Sequence, residues 1–424
     1  MKLAVVGGGS TYTPELVAGL AREQERLGVR DLWLHDVDAE RREVVGGMAA
    51  RMLSAAGSEV ALSVTDELEA ALEGASVVLV QVRIGGQDAR LDDETVPLSC
   101  GCIGQETTGV GGLAKALRTV PVVLDIAARA RKLAAPGAWI IDFTNPVGIV
   151  TRALLDAGHQ AVGLCNVAIG LQRFVARLLD VKPQHVMVDQ VGLNHLTWVR
   201  SVRLDGGDVL PELLIQHGDA LAATADLPRA LLDELGAIPS YYLRYFYLHD
   251  QVLAEQRAGI PRAAEVAEIE RELLELYRDP TLTTKPALLE RRGGAYYSEA
   301  AIQLIVALES ANGDVQVLDV RNGDTIAGLS DDDVVEVPVR IGDALSPLEQ
   351  RPLAPELLGL VQHVAAYERL AVEAALSGER ELVHKALLTH PLVGQLQQAD
   401  ELTDLLLTTG REHLPQFGAQ EALA

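Results

Sequence analysis

The chain has 424 residues, 48% of them hydrophobic, with 60 Asp plus Glu against 36 Lys plus Arg, for a net charge of −24. That length suits two domains or one large interlocked unit, and the acidity argues against nucleic acid or anionic membrane as partner, because both require a basic face. No apolar run approaches the roughly 20 residues of a membrane span, and the opening MKLAVVGGGS runs into glycines too soon for a signal peptide.

Residues 2–6 (KLAVV) read as a strand that breaks at Gly7-Gly8-Gly9-Ser10. Pro14 then sits in the first turn of a helix carrying Leu16, Val17, Leu20 and Ala21. A second strand over 31–36 ends on Asp36. Further apolar runs at 76–82, 138–143 and 161–164 alternate with helical stretches, the pattern of a parallel sheet covered on both faces. Residues 1–165 are therefore expected to form a doubly wound, Rossmann-like α/β domain. Residues 166–424 are expected to form a mixed α+β domain packed closely on it, the two together following a lactate/malate dehydrogenase-like plan. In this second part, 185–204 is rich in β-branched residues and meets a Gly206-Gly207-Asp208 turn. Residues 265–277 keep a helical period, 315–320 and 334–339 flank Asn322-Gly323-Asp324 as a meander, and helices follow from Pro355.

Five of the chemically suggestive segments fall at or near strand ends. Gly7–Ser10 opens a helix whose free N–H groups and positive dipole end suit a pyrophosphate. Asp36 can accept from ribose hydroxyls, which favours NAD over the 2′-phosphorylated cofactor, although Tyr12 stands where the usual third glycine would be. Arg83 and Arg90 follow the strand at 76–82 around Gly85-Gly86, placed for an anion or for ordinary surface ion pairs. Glu106 is the one charge in the glycine-rich stretch 101–112, either idle or set to polarise a neighbour. Asn145, before Pro146, suits a sugar hydroxyl or a nicotinamide ribose, and equally a turn. Cys165-Asn166 and Asn194-His195 bring a thiol and an imidazole that could share a divalent ion, or be a buried free cysteine and a core histidine. Cys100 and Cys102 complete three cysteines, too few for a disulfide framework and in keeping with a reducing cytoplasm. Tyr241, Tyr242, Tyr245 and Tyr247 cluster in a chain only 4% aromatic, by default as packing, with a general base as the other reading.

GGGSTYTP, VRIGGQDAR, IGQETTG, FTNPVG, GLCN, GLNH, IPSYYLRY and RRGGAYYSE, in that order from Gly7 to Glu299, resemble glycoside hydrolase family 4. The Cys-Asn dipeptide resembles its 6-phospho-β-glucosidase branch. The resemblance implies NAD, a divalent metal such as Mn²⁺, and a phosphorylated β-glucoside as substrate. It implies oxidation of the sugar at C3, loss of the C2 proton, elimination of the aglycone, addition of water and re-reduction. Carried over by position, Cys165 and His195 match the metal ligands. Tyr242 matches the base, with Tyr241 as its rival, and Glu106 the carboxylate that assists it. Arg90, Asn145, Asn166 and Arg262 match substrate contacts, while Gly7, Gly8, Gly9, Ser10, Thr11, Asp36 and Asn145 match the cofactor site. The leaving-group acid stays unassigned. A homodimer or homotetramer is expected on general grounds.

Overall fold

The computed structural model describes residues 1–294 and 296–421. The apolar runs become β1 (Lys2–Val6), β2 (Asp31–His35), β4 (Val77–Val80), β5 (Trp139–Asp142) and β6 (Ala161–Gly163), joined by an edge strand β3 (Ala61–Thr65). All six are parallel, in the order β3-β2-β1-β4-β5-β6. The five predicted strands are buried on both faces, so continuous Val, Leu and Ile is what their environment selects. β3 has exposed positions and lacks that signature. Register brings the carboxyl ends level: Val6 pairs with His35 and Val80, Val80 with Asp142, and Asp142 with Gly163. Gly7, Asp36, Gln81, Phe143 and Leu164 therefore leave the sheet along one line.

The second part continues the same sheet. β7 (Val186–Leu193) and β8 (Leu196–Leu204) form a hairpin to which β9 (Gly207–Asp208) and β10 (Ile238–Pro239) add short pairings. β11 (Asp314–Arg321), β12 (Val334–Ile341) and β13 (Leu345–Pro347) make the expected meander, through a connection longer than the Asn322-Gly323-Asp324 turn alone. The order runs on from β6 as β11-β12-β7-β8-β10. Two junctions rest on one residue pair each: Asp319 with Gly163 joins β11 to β6, and Glu336 with Gly192 joins β12 to β7.

Helices Gly109–Leu133, Val147–Asp156 and Pro355–Ser377 pack on one another against the sheet, and one buried apolar cluster spans both parts of the chain. Among the described residues, no helix is long and apolar enough to cross a membrane.

Candidate active site

At the first strand end, the N–H groups of Gly7 and Gly8 donate to the His35 carbonyl at 2.9 and 2.8 Å, and the Asp36 carboxylate accepts from Gly9 N–H at 2.8 Å. A Cβ on Gly9 would lie 2.7 Å from Asp36 Oδ2 and 2.8 Å from Arg41 Cβ, so only glycine keeps this cradle open beside the acid. The helix Thr13–Arg22 starts immediately beyond. The loop, the helix start and the Asp36 carboxylate fit a dinucleotide. Ser10 Oγ accepts from Tyr12 N–H at 3.2 Å. Thr11 is buried beneath the loop, its carbonyl taking the Tyr277 hydroxyl at 2.7 Å.

Asn194 and His195 form the two-residue tip of the β7–β8 hairpin, between Leu193 and Leu196, which pair with each other. His195 has a φ of 64°, a left-handed conformation uncommon for a side-chain-bearing residue. Its ring is stacked on Tyr242, centroids 3.6 Å apart and planes 9° from parallel. Its tautomer follows from the network behind it. Gln105 Oε1 accepts from the backbone N–H of Thr107 (2.6 Å) and Thr108 (2.8 Å), so it also takes the Thr107 hydroxyl proton at 2.9 Å. Thr107 Oγ1, 3.0 Å from His195 Nδ1, can then only accept, which puts the ring proton on Nδ1 and the lone pair on Nε2. Burial lowers the imidazole to about 3, which keeps it neutral and available as a ligand.

Glu106 sits in a cage of cations. Arg83 is bonded to it, Lys115 Nζ lies 2.6 Å away and Arg90 Nε 3.1 Å. Burial alone would raise this carboxyl, but Arg83, Lys115 and Arg90 together hold it well below its ordinary value. Lys115, buried on the helix Gly109–Leu133, is pushed by desolvation and by Arg83 down to about 7. Arg90 is shared with Glu94 at 2.9 Å, and Glu94 in turn accepts from Ala263 N–H at 2.7 Å.

Cys165, just past β6, is buried in the opposite setting. Burial first, then Glu336, pushes its thiol well above the usual range, while the Asn194 side chain bonds to the sulfur. Glu336 and Asp319 are buried carboxyls, both raised, chiefly by burial. Asp142, at the end of β5, is raised for the same reason. Among the described residues no three His, Cys, Asp or Glu side chains converge on a cation position. A thiol and a neutral imidazole from neighbouring segments fit a two-ligand site whose other positions substrate oxygens would fill.

Two family models cover nearly the whole chain: "Family 4 glycosyl hydrolase" matches residues 2–181 and its C-terminal domain matches residues 190–393. The chain belongs to glycosyl hydrolase family 4. A probable 6-phospho-β-glucosidase of Bacillus subtilis (strain 168) is 40% identical over 98% of each chain. The 6-phospho-β-glucosidase of Thermotoga maritima, solved with manganese, NAD⁺ and glucose 6-phosphate, is 34% identical, with a TM-score of 0.90 over 97% of this chain and 99% of that one. Malate dehydrogenase from Plasmodium falciparum shares the fold, at a TM-score of 0.52 and 14% identity over 88% of this chain and 98% of that one.

Within this family 4 chain, His195 stacks on Tyr242, and both Cys165 and Glu106 lie near enough to act on the Tyr242 phenol. Asn145 ends the next strand over, with Oδ1 buried and without a hydrogen-bond partner. Asn166 starts the helix Val167–Leu178 beside Cys165. Tyr241, one residue from the stacked ring, is 41% exposed. Arg262 is exposed, bonded to Glu265 at 2.8 Å and to the Arg291 carbonyl at 2.7 Å. Sequence reasoning missed Lys115, Gln105, Thr107, and the buried pair Arg118–Asp93. A signal existed for two of them, since Lys115 and Arg118 are lone charges in an apolar helical run.

Proposed function

We propose that this family 4 hydrolase cleaves 6-phospho-β-glucosides through transient oxidation of the sugar at C3, deprotonation at C2, elimination of the aglycone, water addition and re-reduction. The observation that carries the reading is the hairpin tip: a neutral His195 with its lone pair on Nε2 is stacked on Tyr242, and its neighbour Asn194 bonds the Cys165 sulfur. Cys165 and His195 would hold the metal, and Gly7–Ser10 with Asp36 the cofactor. When bound, the divalent ion and NAD⁺ supply, respectively, the positive charge that acidifies a C–H next to a carbonyl and the hydride acceptor.

The chain's own groups do the remaining work. Tyr242 takes the C2 proton. Burial raises its phenol, so an adjacent positive charge is needed before it can act as a base near neutrality. Glu106 anchors Arg83, Arg90 and Lys115, which leaves a locally cationic patch at the strand ends in an otherwise acidic protein. Arg90, Asn145, Asn166 and Arg262 are assigned to the substrate, and the open acceptor of Asn145 suits a hydroxyl. A cytoplasmic setting agrees with three free cysteines and a phosphorylated substrate.

The test is hydrolysis of p-nitrophenyl 6-phospho-β-glucoside with NAD⁺, Mn²⁺ and thiol each omitted in turn. Activity should vanish without either cofactor. Cys165→Ser should abolish turnover while calorimetry still shows NAD⁺ binding. Undiminished activity in chelator, or steady net accumulation of NADH, would overturn the reading.

A further inference from the structure

Two arginines stand beside Asp36 at the glycine loop, and both are already engaged by carboxylates. Asp36 already accepts from Gly9 N–H (2.8 Å) and from Asp38 N–H (3.0 Å), which fixes its carboxylate at the ribose end of the groove. A phosphate there would need a free guanidinium beside it. Arg41 and Arg42 stand in the first turn of the helix Ala39–Ala55, directly after Asp36, and Arg41 lies with its stem against Gly9. Arg42 is spent on the Asp36 carbonyl and on Asp66, both at 2.8 Å. Arg41 Nη2 is bonded to Glu270 Oε2 at 3.0 Å, and Arg41 Nε lies 3.9 Å from Asp38.

Glu270 comes from the helix Arg262–Tyr277 in the second part of the chain. It is 4% exposed, gripped by Arg292 through Nη2 (2.7 Å) and Nε (3.0 Å), with the Thr11 hydroxyl 3.4 Å away. Burial would raise its carboxyl, but Arg292 and Arg41 bring it down to about 2, so it is ionised throughout the working range. A 2′-phosphate entering here meets Asp36, Asp38, Asp66 and Glu270 with every nearby guanidinium already engaged.

We propose that Glu270 is a specificity-determining residue that enforces NAD over its 2′-phosphorylated form by occupying Arg41, with Asp66 doing the same, more weakly, to Arg42. Asp36 alone would disfavour the phosphate. The two sequestered arginines remove the compensation it would otherwise find. The inference rests on the dinucleotide reading of the groove, and its test separates the two.

Dissociation constants of NAD⁺ and NADP⁺ are measured by calorimetry for the wild type, Glu270→Gln, Asp66→Asn and the double variant Glu270→Gln/Arg41→Ala, each checked by thermal melting. Glu270→Gln should narrow the NADP⁺/NAD⁺ ratio by about tenfold, the scale of one charge-assisted hydrogen bond. Asp66→Asn, at a carboxylate 59% exposed, should narrow it about threefold. Removing Arg41 should cancel the Glu270→Gln gain. An unmoved ratio in folded Glu270→Gln, or a gain that survives loss of Arg41, overturns the proposal. Should Glu270→Gln fail to fold, an unmoved ratio in Asp66→Asn overturns it. A wild type that binds neither nucleotide defeats the cofactor reading itself, whereas one that binds NAD⁺ beside unresponsive variants defeats only this inference.

Discussion

Two buried carboxylate sites flank Tyr242 and are handled in opposite ways. Around Glu106, three cations meet one acid, and the acid is ionised. Around Cys165, burial raises the acids Asp319 and Glu336, which hold their protons. Both sites are at least nine-tenths buried, so depth does not explain the difference. What differs is which charge has been supplied in advance. At Glu106 the chain provides its own counter-charge, as a buried ion needs. At Cys165 it supplies none, and a cation entering there would have to displace protons from the thiol and the neighbouring acids.

The comparison can be sharpened at the residue between the two sites. Tyr242→Phe removes the proton acceptor and should cut solvent deuterium exchange at C2 by about 10²–10⁴-fold, with metal and NAD⁺ binding intact. Exchange that survives there and disappears in Tyr241→Phe would move the base by one residue. The cationic site breaks next. Glu106→Gln leaves Arg83, Arg90 and Lys115 facing one another without their shared anion and should cost about 3–5 kcal/mol in urea unfolding. A loss below about 1 kcal/mol would mean that the cage is solvated and carries little.

The smallest effect concerns a third buried acid. Glu368, on the helix Pro355–Ser377, is raised by burial, against the pull of Arg152, from 4.5 to about 8. Its folded carboxyl holds the proton more tightly than the unfolded one. Its contribution is therefore fully present below pH 4.5 and is lost as pH rises toward 8. Glu368→Gln should lack that slope, so its melting temperature should gain on the wild type between those limits and keep pace above them. Parallel melting curves across the range would place Glu368 in water.

Much of this was legible beforehand, and the exceptions have physical causes. β1, β2, β4, β5 and β6 announced themselves because strands covered on both faces have no polar alternation. β3 is a partly exposed edge, and β9, β10 and β13 are two or three residues long, too short for any period to register. Cys165 and His195 were visible as a pair of suitable ligands, but a thiol and an imidazole in sequence say nothing of the tip that turns one ring. Gln105 and Thr107, which fix the proton on that ring, are ordinary loop residues until their hydrogen bonds are seen. Glu106 was recognised as a lone charge, and its three partners arrive from two other segments. The Arg41–Glu270 bond joins residues 229 positions apart, a separation at which no local spacing rule operates.

Cys165 follows β6 and His195 tips the β7 hairpin, so they stand on opposite sides of the one-pair seams at Gly163 and Gly192. Asp319 and Glu336, the buried acids near the sulfur, are the partners of those two glycines. A Cβ on Gly163 would come within 2.8 Å of Asp319 Cβ, so the seam closes only because nothing projects there. An ion held by both the thiol and the imidazole, as proposed, would rivet the two halves of the sheet at their thinnest place.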